Sequence, residues 1–418
     1  MTLAKNLRVK LAFGLLLSAG LLVLVSCSGG GGSGPSPSPS PTPVSNTMDA
    51  EVNSGPANNS ANILFVSVTI CVPSSSTCQT IPDVQVDTGS EGLRLLSSAV
   101  SLSLPAVTDS SNNGLQECLS FLDGSYVWGP VVGADIQLAG EKASNVPIQL
   151  ISASPTYPVP SSCATGSGAL SDNTAAVLGA NGIIGVGNFQ QDCGAACEPG
   201  SSSLPALYYT CPNSVCGVVG VSLTGQLQNP VWLFAQDNNG VLITLPSLPT
   251  TPDTGAATAS GSLVFGIGTQ SDNALGNAQI YTTDSNGNYT VSYNGVPYSG
   301  SFIDSGSNGL FFLDAATLGI TDCTNPNEAG FYCPASEISY RVTTTGLNGT
   351  SSTVTFNIAN ADALFTANNG ANTAFDNLGG DNSGSFDFGL PFFYGKNVFV
   401  GIENMPGPNG SVGPYWAY

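Results

Sequence analysis

Val84–Ser90 reads Val-Gln-Val-Asp-Thr-Gly-Ser, and Ser301–Ser307 reads Ser-Phe-Ile-Asp-Ser-Gly-Ser. Each stretch places Asp-Thr/Ser-Gly-Ser directly after an apolar run that is typical of a β-strand. One such tetrapeptide carries little information, because Asp, Ser and Gly are ordinary turn residues. Asp253–Gly255 repeats part of it in a Pro- and Thr-rich stretch that predicts a loop. Two copies after strands, one in each half of the chain, predict a paired functional site.

The two loops, Asp87–Ser90 (the first Asp loop) and Asp304–Ser307 (the second Asp loop), carry groups suited to hydrolysis. Two carboxyls about 3 Å apart cannot both ionise, so one can activate water as a base while the other acts as an acid, the established pattern of aspartic proteases. Asp87 and Asp304 are the candidate catalytic residues. The glycines let the two backbones approach closely, the second residue of each loop can hydrogen-bond across, and the last can support a carboxylate. These supporting residues are Thr88, Gly89, Ser90, Ser305, Gly306 and Ser307.

Composition favours an all-β protein and excludes several function classes. The 418 residues include 51 Gly and 28 Pro. Ile63–Ile70, Val241–Leu245 and Thr353–Ile358 are short apolar or alternating runs that predict strands. The absence of histidine excludes Ser-His-Asp and Cys-His triads and His-ligated zinc. We therefore expect neither metal nor cofactor. The net charge of −20 argues against nucleic acid as a partner.

The N-terminus resembles that of a bacterial lipoprotein. Residues 1–26 have a basic start and an apolar core, typical of a signal peptide. Leu24–Cys27 reads Leu-Val-Ser-Cys, similar to a lipobox, which implies cleavage before Cys27 and its diacylation. An ordinary secretory signal with an incidental cysteine is the alternative. Ser28, directly after the cysteine, resembles the residue at that position in lipoproteins sent to the outer membrane. Residues 27–60 are rich in Gly, Ser and Pro and predict a tether before a folded part that begins near Ala61.

Ten cysteines remain after Cys27. An even number in an exported chain predicts disulfides. Cys71 and Cys78 are expected to close a hairpin, and Cys323 and Cys333 a second short loop. The pairing of the other six stays open: Cys118, Cys163, Cys193, Cys197, Cys211 and Cys216.

From about Ile63 onward the chain resembles the pepsin family of aspartic proteases. Residues 181–187 (Asn-Gly-Ile-Ile-Gly-Val-Gly) and 386–393 (Phe-Asp-Phe-Gly-Leu-Pro-Phe-Phe) look like the segments which that family threads beside its catalytic loops. The resemblance implies a bilobal fold with an N-terminal lobe at 61–250, a C-terminal lobe at 251–418, and a cleft between them. The chain is also similar to bacterial lipoproteins that carry a domain of unknown function.

The expected flap over the cleft departs from the pepsin pattern. When the chain is aligned with the pepsin pattern on Gly124, Asp123 stands where pepsins have the flap tyrosine. Arg94 stands where they have the tryptophan that pairs with it. We expect Asp123 and Arg94 to form a charge-assisted hydrogen bond and, with Gly124 and Tyr126, to contact substrate. The alternative alignment makes Tyr126 or Trp128 the flap aromatic.

These expectations lead to two functional hypotheses. The first is a lipid-anchored aspartic endopeptidase that cuts extended peptides or proteins as a monomer at the outer membrane or cell surface. Its activity is expected to peak in acid, because the dyad needs one proton. The second is a non-catalytic surface lipoprotein of the same shape that binds peptide or glycan. The altered flap favours the second, and the two complete Asp loops favour the first.

Overall fold

The computed structural model describes residues 45–121, 123–164, 170–250 and 253–418. The predicted signal peptide, Cys27 and the tether up to residue 44 lie outside the described residues. Asp253–Gly255 lies in a loop, as predicted.

The described residues are all-β, as predicted, with only short helices. The strands are β1 Thr47–Val52, β2 Leu64–Cys71, β3 Cys78–Asp87, β4 Glu91–Leu96, β5 Leu115–Ser120, β6 Tyr126–Leu138, β7 Glu141–Ile151, β8 Gly182–Val186, β9 Tyr208–Thr210, β10 Gly217–Val218, β11 Gly240–Thr244, β12 Ala259–Phe265, β13 Ile280–Thr282, β14 Tyr289–Tyr293, β15 Val296–Ile303, β16 Leu310–Leu313, β17 Ile338–Thr345, β18 Ser351–Ile358, β19 Gly379–Gly380, β20 Asn382–Phe388, β21 Asn397–Gly401 and β22 Tyr415–Ala417. The α-helices are α1 Ala175–Leu178, α2 Ala315–Leu318 and α3 Ala361–Thr366. Single 3₁₀ turns lie at Ser97–Ala99, Gly194–Cys197, Pro212–Ser214, Leu223–Gly225, Val231–Leu233, Pro326–Glu328, Ala367–Gly370, Leu390–Phe393 and Pro408–Gly410. Within the described ranges, no helix has the length and apolar character needed to cross a membrane.

Six strands of the N-terminal half form a closed, barrel-like sheet. Their order is β6-β7-β4-β8-β3-β2, and a further pairing of β6 with β2 closes the ring. Closure follows from the length of β6, which pairs with β7 through most of its course and with β2 around Ile136. Alternating apolar side chains such as Val66, Val68 and Ile70 of β2 are buried in the interior.

Strand β1 extends this sheet into the C-terminal half of the chain. It pairs with β2 on one side and with β12 on the other, and β11, β21, β22 and β13 follow. The sequence predicted that the folded part begins near Ala61, but Thr47–Val52 already form a paired strand. Strand β1 was not predicted because it is short and follows low-complexity residues, so its alternation of apolar and polar residues is too brief to indicate a strand.

A second sheet of seven strands has the order β18-β17-β14-β15-β20-β16-β19. Its core is aromatic: Phe312 contacts the rings of Tyr332, Tyr340, Phe356 and Phe386. The predicted strands at Ile63–Ile70, Val241–Leu245 and Thr353–Ile358 are confirmed as β2, β11 and β18, within one or two residues at each end.

Five disulfides connect the ten described cysteines. The predicted pairs Cys71–Cys78 and Cys323–Cys333 are both confirmed. The pairs that the sequence left open are Cys118–Cys163, Cys193–Cys197 and Cys211–Cys216. Two of these three close loops of only four and five residues in sequence separation, so they fix local turns.

Candidate active site

The two candidate aspartates lie at equivalent places in two copies of one strand arrangement. Asp87 ends β3, which runs parallel to β8, and the strand after its loop, β4, pairs antiparallel with the same β8. Asp304 follows β15, which runs parallel to β20, and β16 pairs antiparallel with β20. The segments at 181–187 and 386–393 therefore lie beside the two Asp loops, as predicted.

The glycine of each Asp loop lies against the aspartate of the other. A Cβ atom on Gly89 would lie 2.6 Å from Cγ of Asp304, and one on Gly306 would lie 2.6 Å from Oδ1 of Asp87. Real Cβ atoms do not come so close to another atom, so any larger residue would push the loops apart. The sequence prediction that these glycines permit close approach is confirmed.

Thr88 and Ser305 hold the two loops together by reciprocal hydrogen bonds. The amide of Thr88 donates to Oγ of Ser305 at 3.1 Å, and the amide of Ser305 donates to Oγ1 of Thr88 at 2.9 Å. The Ser305 hydroxyl donates on to the carbonyl of Val86 at 2.8 Å. Both side chains are buried, so these bonds fix the separation of the two aspartates.

Each aspartate accepts two hydrogen bonds from its own loop. Oδ1 of Asp87 accepts from the amide of Gly89 at 2.8 Å, and Oδ2 accepts from the Ser90 hydroxyl at 2.5 Å. Asp304 is held in the same way, by the amide two residues on at 2.7 Å and by the Ser307 hydroxyl at 3.1 Å. The rotamer of each carboxyl is thereby fixed, and the prediction that the serines support the carboxylates is confirmed.

The two carboxyls are electrostatically coupled. Burial raises the pKa of Asp304 well above its ordinary value of 3.8, and the nearby charges of Asp87 and Asp387 and a hydrogen bond with Asp87 raise it further. Asp87 is 7% exposed. Because like charges this close disfavour double ionisation, Asp304 keeps its proton to a higher pH than an ordinary aspartate does.

Two further carboxyl groups lie near the two aspartates, and no role was predicted for either of them from the sequence. Burial raises the pKa of Glu91 to about 8, and its Oε1 accepts from the amide of Phe189 at 3.2 Å. Burial likewise raises the pKa of Asp387 to about 8. Glu91 could have been noticed from its place directly after the first Asp loop. Asp387 carries no comparable signal, because a single Asp in an apolar strand does not reveal what faces it.

The predicted flap is a hairpin made by β5 and β6. At its tip, the amide of Phe121 donates to the carbonyl of Ser125 at 2.9 Å, and Gly124 adopts a positive φ of 86°. Oδ1 of Asp123 accepts from both the amide and the hydroxyl of Ser125 at 2.8 Å. Asp123 therefore closes its own turn and lines the cleft, and Gly124 forms the bend.

The predicted pairing of Arg94 with Asp123 is wrong. Arg94 has no exposed surface; it donates to Glu117 through Nε at 3.1 Å, and its Nη2 lies 3.2 Å from Asp192. Its Nη1 donates to the carbonyl of Glu91 at 2.8 Å. Every nitrogen of the guanidinium is thus used inside the protein, and Arg94 cannot contact substrate.

Tyr126 and Trp128, the aromatic residues of the alternative alignment, do not line the cleft. Trp128 is 1% exposed and packs edge-on against Tyr209. Tyr126 is half-buried and packs against the same cluster, beside the Cys118–Cys163 disulfide. The prediction that Tyr126 contacts substrate is therefore not supported by its position; Phe121 is the aromatic residue at the hairpin tip that lines the cleft.

A cleft of about 1160 Å³ lies in front of the two aspartates. Both Asp loops, the hairpin tip and the loop 285–288 line it. Among the described lining residues there is no Lys or Arg; the acidic ones are Asp87, Glu91, Asp123, Asp172, Asp192, Asp304 and Glu403. Elsewhere in the described ranges, Cys323, Cys333 and Asp362 approach one another closely, but both sulfurs are held in a disulfide and so cannot bind a metal as thiolates.

Comparison with known proteins gives one family. A model of the family described as "Protein of unknown function (DUF3443)" matches residues 42–418, which include both Asp loops, the hairpin and every described strand. No curated protein matches the chain.

Proposed function

We propose that this chain, which belongs to the DUF3443 family, is an aspartic endopeptidase with a pepsin-like, bilobal arrangement. The observation that supports this most is the pair of Asp loops, held face to face by Thr88 and Ser305 with the glycine of each against the aspartate of the other. A scaffold without chemistry has no need to hold two carboxyls in one proton-sharing unit. No cofactor is required.

In the proposed mechanism a water molecule lies between Asp87 and Asp304. The ionised carboxyl takes a proton from the water as its oxygen attacks the peptide carbonyl, and the protonated carboxyl gives its proton to the carbonyl oxygen. As the tetrahedral diol collapses, one of its hydroxyls returns a proton to the ionised carboxyl and the C–N bond breaks. The other carboxyl gives its proton to the leaving nitrogen, so the pair is again singly protonated. An extended peptide or protein is the substrate, and the β5–β6 hairpin covers it.

The pH dependence of this reaction follows from the pKa of Asp304. The acid must carry its proton, and that pKa is well above 3.8, so activity persists above the range where an ordinary aspartate ionises and is lost as pH rises through the raised pKa. On the acid side, activity falls when the second carboxyl also takes up a proton. The measurement is kcat/KM against pH for cleavage of an unfolded protein, with inhibition by a statine-type peptide as the control. A loss of activity centred near pH 4 (about the ordinary aspartate value) would contradict this mechanism.

We further propose that the protein is anchored through a lipid on Cys27, at the outer membrane or cell surface, and acts as a monomer. The sequence Leu24–Cys27 supports this, and it lies outside the described residues. Cys27→Ser should move the protein from the membrane fraction to the soluble fraction, detected by immunoblot, because a thiol is required for diacylation. Retention of Cys27→Ser in the membrane fraction would count against the anchor.

A further inference from the structure

Ser307 makes a contact that its counterpart Ser90 does not make. The Ser307 hydroxyl lies 3.1 Å from Oδ2 of Asp304 and 2.6 Å from Oδ2 of Asp387. Among the residues that the structure describes, the Ser90 hydroxyl bonds only to the carboxyl of Asp87. The two Asp loops are otherwise alike position by position, so this difference comes from Asp387.

Packing does not require a carboxyl at the position of Asp387. Near the second Asp loop, Asp387 of β20 lies beside Phe302 of β15. The equivalent position near the first Asp loop is Ile183 of β8, which lies beside Gln85 of β3 in the same parallel register. Ile183 is buried, with 3% of its surface exposed. An apolar side chain therefore suits this place in the fold, and the carboxyl needs another explanation.

The surroundings of Asp387 favour its neutral form. It is 5% exposed, and its Oδ1 has no hydrogen-bond partner within the described part of the chain. The flanking strands place Phe302 and Phe311 beside it, and the titratable groups that face it, from the two Asp loops, are Asp304 and Asp87. No described Lys or Arg forms an ion pair with it. A buried carboxylate without a cation costs several kcal/mol (about the penalty per ion), and burial raises the pKa of Asp387 to about 8.

The Ser307 hydroxyl links Asp387 to the proposed dyad, because it has too few hydrogens to donate to both carboxyls. A serine hydroxyl has one hydrogen to donate. Ser307 contacts two carboxyl oxygens, so both contacts can be hydrogen bonds only when Asp304 or Asp387 carries a proton on the facing oxygen. Three carboxylates this close also disfavour a fully ionised state. The chain Asp304–Ser307–Asp387 therefore retains a proton.

We propose that Asp387 is a positioning residue of the proposed active site, which shares a proton with Asp304 through the hydroxyl of Ser307 and so opposes full ionisation of the dyad. The proposal rests on the proposed function. Asp387 does not line the cleft, so it acts on Asp304 and not on the substrate. Its effect is to keep the dyad in the singly protonated, active form to a higher pH than two carboxyls alone would allow.

The kinetic test uses Asp387→Asn and Asp387→Ile, the second of which copies Ile183. The pH at which kcat is lost on the alkaline side should fall by about one unit in both variants, the size of coupling expected for interacting carboxyls, while KM stays as in wild type. In a Ser307→Ala background, Asp387→Asn should cause a smaller fall. Asp381→Asn is the control, because Asp381 is an exposed carboxyl six residues earlier in the chain and outside the site.

An unchanged alkaline limb in Asp387→Asn would overturn the proposal, as would an equal fall with and without the Ser307 hydroxyl. A titration by NMR of the purified protein labelled with ¹³C at the aspartate carboxyls tests the same point without any activity. Asp387→Asn should lower the pKa of Asp304, and an unchanged pKa would overturn the proposal. Because this measurement needs no cleavage, failure of the proposed function and failure of the role of Asp387 are distinguishable. If Asp387→Ile does not fold, the near-isosteric Asn variant carries the test.

Discussion

Asp87→Asn is expected to abolish peptide cleavage and to leave the fold intact. The amide cannot take a proton from water, whereas its oxygen can still accept from the amide of Gly89, so the loss is chemical and not structural. We expect kcat/KM to fall by about 10⁴-fold, in line with the loss of one member of a catalytic group that acts as a unit. The measurement is the rate of cleavage of a fluorogenic peptide, with the thermal unfolding temperature recorded in parallel.

Asp253→Asn is the matched control for this experiment. Asp253–Gly255 is the second Asp-Thr-Gly of the chain, and it lies in a loop outside the cleft. Its substitution should leave the cleavage rate unchanged. Equal losses in Asp87→Asn and Asp253→Asn would show that the effect is not specific to the proposed dyad, and wild-type activity in Asp87→Asn would exclude the dyad mechanism.

Arg94→Leu is expected to destabilise the protein severely. Arg94 is the cation shared by Glu117 and Asp192, and all three side chains are almost fully buried. Tyr208 donates to Asp192 at 2.8 Å but carries no charge to replace the arginine. Removing one partner of a buried ion pair leaves an uncompensated charge, which costs about 3–5 kcal/mol of unfolding free energy.

The loss of stability in Arg94→Leu should be smaller at acid pH than at neutral pH. Burial raises the pKa of Asp192 well above 3.8, so protonation at acid pH removes part of the uncompensated charge. Chemical denaturation at both pH values measures it. Arg341→Leu, at an exposed position in β17, is the control and should unfold like wild type. Equal stability of Arg94→Leu and wild type would mean that the buried pairs do not stabilise the fold.

The sequence predicted the Asp loops correctly because their signal is local. Each is a strand followed by turn residues, and the roles of Thr88 and Gly89 follow from their distance from Asp87 along the chain. The segments at 181–187 and 386–393 were predicted from their resemblance to the pepsin family, which places such segments beside its catalytic loops. The Cys71–Cys78 pair was predictable because the two cysteines flank one short turn.

The partners of Arg94 were not predictable, because they depend on long-range register. Glu117 is 23 residues away in β5, and Asp192 is 98 residues away in the loop after β8. A position aligned with a flap partner in pepsin-like proteins therefore gave a plausible but wrong pair. The contact of Asp387 with Ser307 spans 80 residues and depends on one strand pairing, so no local pattern reports it.

The most direct test of the central claim is digestion of a peptide library by the purified protein, with products identified by mass spectrometry from about pH 3 to pH 8, the range over which a carboxyl pair of this kind can titrate. The proposed dyad predicts cleavage at internal peptide bonds by wild type and none by Asp87→Asn or Asp304→Asn. The absence of products from wild type at every pH, together with retained binding of the same peptides, would contradict it and would favour a peptide-binding lipoprotein.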